Sequence, residues 1–319
     1  MKVSVTRKIP GNGIKMLQDA GYEVVISPHN RSLERQELLN FIQGADGVLC
    51  MLTDKVDQEF INACGPQLKI VANYAVGTDN LDLPTLLSHN MVATNTPEVL
   101  TEAVAEHTFA LIMVITRRIV EAHKLAQTES AKFGPEVLLG MELKGKTLGV
   151  LGLGRIGLRV AEMGKAMGMS VVYYDVKQNT DFEIKVGAEF KATPEELLTI
   201  SDVVSVHVPL LDSTRHLINS ERLKMMKKTA YLINTSRGPV VDEAALVEAL
   251  KNGVITGAAL DVGETEPKWA QGLVDLPNVV LTPHIASATV ESRSAMGELA
   301  AKNIIAVLSG QPPLTPVKV

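Results

Sequence analysis

The chain has 319 residues, 46% of them hydrophobic and 21% charged, with a formal net charge of −5. That is enough apolar sequence to build two buried cores. The acidic balance excludes a broad basic surface for nucleic acid or anionic membrane, and no apolar run approaches the length of a membrane span.

Residues 1–95 alternate between strand-like and helix-like stretches. Strands are expected at Lys2–Thr6, Glu23–Ser27, Gly47–Leu52, Leu68–Asn73 and Met91–Thr94. Helices are expected at Gly13–Ala20, Leu33–Ile42, Asp57–Cys64 and Pro84–Ser88. Ser32 is a candidate N-cap, with Arg35 in the place a capping-box acid would take. Gly21, Gly44 and Gly65 follow helices, where left-handed backbone ends them. Repeated strand–helix–strand order implies a parallel sheet covered on both faces. The first residues form no secretory core, and the two cysteines, Cys50 and Cys64, lack a histidine pattern for metal. A cytoplasmic protein without a structural metal is expected.

Residues 97–125 read as one long helix from Pro97, with Val104, Phe109, Leu111, Ile112, Ile115 and Ile119 on its apolar face. Its length suits a connection between two domains. Residues 127–146, with Gly134, Pro135, Gly140 and Gly145, read as a loop.

Alternation resumes at Thr147. Leu148–Leu151 is a short buried strand, followed by Gly152, Gly154 and Gly157 at G-x-G-x-x-G spacing. A helix from Arg155 to about Met167 and a strand from Ser170 to Tyr174 lead to Asp175. This is the order of a dinucleotide-binding unit: tight turn, close approach to a pyrophosphate, helix packed on strand, and an acid for the ribose hydroxyls. Gly152, Gly154, Arg155, Ile156 and Gly157 bring the helix N-terminus to the phosphates. Asp175 would repel a 2′-phosphate, so NAD is the expected cofactor.

Further strands are expected at Val203–His207, Ala230–Asn234, Thr256–Leu260 and Val279–Thr282. Helices are expected near Pro194–Thr199, Ser220–Met226, Asp242–Asn252 and Thr289–Leu308. The last helix has no strand after it and could return to the first domain.

Ligands of such sheets bind at the carboxyl ends of strands. Those ends here are Asn234-Thr235-Ser236-Arg237-Gly238, Asp261 through Glu266-Pro267, Thr282-Pro283-His284 and, in the first domain, Asn73 through Val76-Gly77 to Asp79. Taken singly, Arg237 also fits a surface ion pair, Glu266 a solvated loop acid and His284 a hydrogen-bonded turn residue. Together they match the reduction of a 2-oxo acid. A guanidinium binds the carboxylate, a histidine delivers a proton as hydride arrives, and a carboxylate orients that histidine. Backbone N–H groups near Val76 and Gly77 could hold the substrate carboxylate.

These motifs, with Val104-Ala105-Glu106-His107 and Ala259-Leu260-Asp261-Val262, make the chain resemble the D-isomer-specific 2-hydroxyacid dehydrogenases over essentially its whole length. The resemblance implies two doubly wound parallel-sheet α/β domains. A Rossmann-like NAD-binding domain, 98–288, is inserted in a flavodoxin-like substrate domain formed by 1–97 and 289–319. It places the catalytic arginine, glutamate and histidine on Arg237, Glu266 and His284, and the carboxamide-contacting aspartate on Asp261. Val208, Pro209 and Thr235 join the cofactor site, and a homodimer is expected. Asn73–Gly77 and Thr94–Thr101 look most like glyoxylate and hydroxypyruvate reductases. Phosphoglycerate and D-lactate dehydrogenases are the alternatives, but no regulatory domain follows Val319. A formate dehydrogenase would carry Gln at Glu266. A nicotinamide-gated corepressor of the same fold is the rival from another class. Two departures stand out: Gly263 replaces a usual aromatic, loosening the pocket, and 127–134 lacks the family's Gly-x-Trp.

Overall fold

The computed structural model describes residues 1–128 and 134–317. Most of the 127–134 loop, where Gly-x-Trp is missing, lies outside the described residues. The chain forms two compact units, Met1–Leu100 with Ala288–Val319, and Thr101–Ser287.

In the first unit, β1 (Lys2–Val5), α1 (Gly13–Asp19), β2 (Glu23–Ile26), α2 (Arg35–Phe41), β3 (Gly47–Cys50), α3 (Gln58–Cys64), β4 (Ile70–Asn73), α4 (Leu83–Ser88) and β5 (Val92–Thr94) follow in chain order. The five strands form one wholly parallel sheet, ordered β2-β1-β3-β4-β5. Gly21, Gly44 and Gly65 all adopt positive φ after their helices. Ser32 is not the cap of α2. Glu34 holds that place, and its own N–H bonds the Glu37 side chain at 2.9 Å, completing a box two residues later than Ser32 implied.

The second unit runs α5 (Thr101–Thr116), α6 (Ile119–Ala126), β6 (Thr147–Leu151), α7 (Arg155–Ala166), β7 (Ser170–Tyr174), α8 (Thr180–Val186), β8 (Ala188–Phe190), α9 (Pro194–Ile200), β9 (Val203–Val206), α10 (Ser220–Met225), β10 (Tyr231–Asn234), α11 (Glu243–Lys251), β11 (Gly257–Leu260) and β12 (Val279–Leu281). Its seven strands are again all parallel, ordered β12-β11-β10-β9-β6-β7-β8. The chain winds outward from β6, returns to β9 and winds the other way, so the switch point lies between β6 and β9. Alternate residues feed opposite cores. Leu148, Val150, Val203, Tyr231 and Ile233 pack with α5 and α7, whereas Leu151, Val204, Val206 and Leu232 pack with α9, α10 and α11. The final helix, α12 (Val290–Leu308), caps with Thr289 and belongs to the first unit, against α1, β3 and β4.

Two expectations are corrected. The single long helix is two, broken where Arg118 adopts φ +53°. Ile119, expected on the buried face, is 51% exposed. The sequence reading also passes over α8 and β8. Among the described residues, no helix is long and apolar enough to cross a membrane.

Candidate active site

The site of the second unit begins at the end of β6. Gly152 has φ +95°, and a Cβ there would lie 2.8 Å from the backbone of His207 and Val208. Only glycine fits, so the turn lies tight against the end of β9. A Cβ on Gly157 would strike the carbonyl of Gly152, which is why α7 can start so close to the sheet. Gly154 is different: open space surrounds its Cβ position. It caps α7, whose first N–H groups, from Arg155 and Ile156 on, face the same end. Asp175, after β7, accepts the N–H of Leu153 at 2.6 Å through Oδ2. The carboxylate and the glycine turn are therefore fixed to each other, and Oδ1 is left to receive hydroxyl donors. This open glycine cradle with an acid beside it fits a dinucleotide.

Val208 and Pro209 follow β9 after His207, Val208 buried and Pro209 exposed. The neighbouring His207 bonds Ser205 Oγ through Nε2 at 2.8 Å, and burial pushes its pKa from 6.5 down to about 3. Thr235, beyond β10, shares a 2.8 Å hydroxyl bond with Thr108 of α5.

The three candidate catalytic side chains leave adjacent strands, β10, β11 and β12. Asn234, buried at the end of β10, accepts from Ser236 N–H (3.0 Å) and donates to Arg237 O (3.0 Å), shaping the turn that presents Arg237. Arg237 Nη1 donates to Ser236 O at 2.8 Å. At Gly238 a Cβ would strike the backbone of Gly263, so the Arg237 loop and the loop after β11 touch main chain to main chain. A Cβ on Gly263 would lie 3.2 Å from the Trp269 ring. The Trp269 ring thus packs directly beside Gly263.

Glu266 and His284 meet. His284 Nδ1 lies 2.9 Å from Oε2 and 3.1 Å from Oε1 of Glu266, with the side chains 26% and 34% exposed. His284 takes left-handed backbone, φ +54°, which costs a non-glycine residue of order 1 kcal/mol. Asp261 holds it there. The carbonyl of Asp261 accepts His284 N–H at 2.8 Å, and its fully buried carboxylate accepts from Thr282 Oγ1 (2.7 Å), Ile285 N–H (2.9 Å) and Ala286 N–H (2.8 Å). His107 Nε2 stands 3.5 Å from it. Burial raises the acid's pKa, but His107, Thr282 and the two N–H groups outweigh it and hold it below the usual range.

Val76 and Gly77 lie in the first unit, after β4. Asn95 Nδ2 donates to Val76 O and Asn73 Nδ2 to Gly77 O, each at 2.8 Å. In a trans peptide the N–H points opposite its C=O, so these bonds also aim the N–H groups of Gly77 and Thr78. Sequence reading missed Asn73 and Asn95 as aiming groups, although an amide ending a buried apolar strand is a usable signal. It also missed Glu243, Glu264 and His216, which surround the Glu266 loop. Among the described residues, no three His, Cys, Asp or Glu are placed to hold a metal ion.

Comparison with known proteins gives the family. Residues 109–286 match the family described as D-isomer specific 2-hydroxyacid dehydrogenase, NAD binding domain. The chain is 50% identical over 315 residues to a glyoxylate reductase of Thermofilum pendens, covering 98% of this chain and 93% of that one. It superposes on the TT0316 protein of Thermus thermophilus with TM-score 0.94 and 42% identity over the full length of both. An NADPH-dependent glyoxylate/hydroxypyruvate reductase of Sinorhizobium meliloti, solved with NADP and malonate, matches with TM-score 0.83 and 34% identity over 99% of this chain and 96% of that one. The second unit is an NAD-binding domain, and the chain belongs to the D-isomer-specific 2-hydroxyacid dehydrogenase family.

Proposed function

We propose that the protein reduces a small 2-oxo acid, glyoxylate or hydroxypyruvate in type, to the D-2-hydroxy acid with NADH. The carrying observation is the 2.9 Å contact of Glu266 with His284 Nδ1. It fixes the ring and leaves Nε2 as the nitrogen that passes a proton to the substrate oxygen. Bound NADH supplies the hydride to the carbonyl carbon. Arg237 binds the substrate carboxylate and polarises the carbonyl; in the first unit, the substrate domain, the main-chain N–H groups near Val76 and Gly77 are the further substrate-binding groups. Gly152, Gly154, Arg155, Ile156 and Gly157 receive the pyrophosphate; Val208, Pro209 and Thr235 flank the cofactor, and Asp261 braces its nicotinamide end. The reading also includes a cytoplasmic homodimer with neither nucleic acid nor membrane as partner, supported by the family and the net negative charge.

The test is NADH consumption on adding glyoxylate, hydroxypyruvate, pyruvate or phosphohydroxypyruvate to the purified protein. Preference for either of the first two supports the reading. Preference for pyruvate or phosphohydroxypyruvate replaces it with a D-lactate or phosphoglycerate dehydrogenase, and inertness to all four overturns it.

Cofactor choice rests on Asp175. Its free Oδ1 suits ribose hydroxyls and repels a 2′-phosphate. Since a structural relative binds NADP, the fold alone does not decide. Asp175→Ala should shift the NADPH-to-NADH ratio of kcat/KM upward by roughly tenfold, the scale of one charge-assisted hydrogen bond. Wild-type protein that uses both cofactors equally refutes the assignment.

A further inference from the structure

Glu243 opens α11, yet it does not cap that helix. Asp242 does so, accepting Ala245 N–H at 2.9 Å. An acid that only favoured the helix dipole could stand in water. Glu243 is 3% exposed, and its carboxylate leaves its own helix for the loop after β11. It accepts Glu264 N–H through Oε1 and Ala270 N–H through Oε2, each at 2.8 Å. Those two donors stand at the two ends of 264–270, the segment that carries Glu266. Within it, Lys268 N–H bonds Thr265 O at 2.9 Å. Gly263 N–H reaches back to Glu266 Oε1 at 3.2 Å. Glu264 answers Glu243 by accepting its N–H at 3.3 Å, and its other oxygen lies 2.6 Å from His216 Nε2. One buried carboxylate thus clamps both ends of the loop, as Asp261 clamps the loop of His284.

We propose that Glu243 is a positioning residue, whose carboxylate holds the 264–270 loop so that Glu266 stays within hydrogen-bond reach of His284. This rests on the reading of Glu266 and His284 as the acid pair. A buried carboxylate is stabilised only when its oxygens are satisfied, and here the satisfying groups are the loop's own N–H groups. Loss of either bond frees one end of the loop. The charged and titratable groups around it are Glu264, Glu266 and Lys268 of the loop itself, Glu243 of α11, His216, His284 and Arg237 on the adjoining turn.

The test is a double-variant cycle in the full chain, with NADH and glyoxylate. Glu243→Gln keeps the shape but puts an amide NH2 against an N–H donor. It should lower kcat by about tenfold, within the range that small misplacement costs. It should leave NADH affinity unchanged and move the alkaline limb of the reduction profile to lower pH, the shift also expected of Glu266→Gln, which takes the carboxylate away from His284 Nδ1. With Glu266 already Gln, adding Glu243→Gln should change kcat and the limb no further. Full additivity in the double variant, or a wild-type limb in Glu243→Gln with a lowered melting temperature, would overturn the inference. Should Glu243→Gln not fold, Glu243→Asp retains the charge but reaches only one end of the loop, and the same cycle is run with it. Absence of 2-oxo acid turnover in the wild type, or an unmoved limb in Glu266→Gln alone, would refute the acid pair instead, so the two failures are distinguishable.

Discussion

The two units are the same kind of object, an all-parallel sheet with helices on both faces, but their carboxyl edges are built differently. In the first unit the edge offers main chain: neutral amides, Asn73 and Asn95, grip the carbonyls of Gly77 and Val76. In the second the edge offers ionisable side chains, Arg237, Glu266 and His284, on loops held by buried acids and by glycine contacts. The architecture is shared and the chemistry is not, because chemistry depends on which atoms stand beyond the strand ends. On the proposed reading the first edge holds an anion without exchanging a proton, and the second does both.

Breaking the charged edge should have the largest effect. His284→Ala removes the proposed proton donor and should lower the reduction rate by roughly a hundredfold or more, the scale of a lost general acid, with NADH binding retained. Stopped-flow reduction with fluorescence titration of NADH separates the two. A rate within a few-fold of wild type would move proton transfer elsewhere.

Arg237→Lys is the next test. Lysine keeps the charge but loses the planar fork, so kcat/KM for the 2-oxo acid should fall by about tenfold to a hundredfold. NADH affinity should stay near normal. Unchanged 2-oxo acid kinetics would return Arg237 to a surface role.

The second edge also carries a cost in acid. His207 has a pKa near 6.5 when unfolded and about 3 in place. Its folded value is depressed, so the unfolded chain binds the extra proton between those limits. The contribution is present above pH 6.5 and is lost as pH falls toward 3. Part of the residue still meets solvent, so the loss from neutrality to about pH 5 is at most about 2 kcal/mol. His207→Gln keeps a bond to Ser205 without the titration. Its urea unfolding free energy should fall less over that range than the wild type's, and equal slopes would show that His207 is already charged at about pH 5.

Much of this edge is legible in sequence because its parts are local. Gly152 and Gly157 are needed for backbone reasons that spacing reveals, and Asn234, Asp261 and Thr282 end apolar runs. What is not legible is long-range. Nothing in Arg117-Arg118 marks the break between α5 and α6, since no glycine or proline is there and apolar periodicity continues into Ile119. β8 has three residues with Glu189 in the middle, too short and polar for a strand pattern. Glu243 reads as an ordinary acid at a helix start; only the fold brings Glu264 and Ala270 to it. Trp269 gives no sequence sign that it fills the space beside Gly263.

The smallest effect should sharpen the contrast from the neutral side. Asn95→Ala removes the bond that fixes the Val76–Gly77 peptide, and with it the aim of the Gly77 N–H. That N–H carries no titrating proton and makes no bond that strengthens as hydride moves. On the proposed reading, a carboxylate held there is bound equally in ground state and transition state, which is uniform binding. The substitution should therefore raise KM for the 2-oxo acid by about fivefold, the worth of one net hydrogen bond near 1 kcal/mol. Saturated turnover and its pH profile should stay unchanged. His284→Ala has the opposite signature, a loss in kcat that substrate cannot overcome. Steady-state kinetics of both variants across pH make the comparison. A fall in kcat for Asn95→Ala, or a shift in its profile, would show that the first edge takes part in the chemical step, and the division of labour between the two sheets would then be wrong.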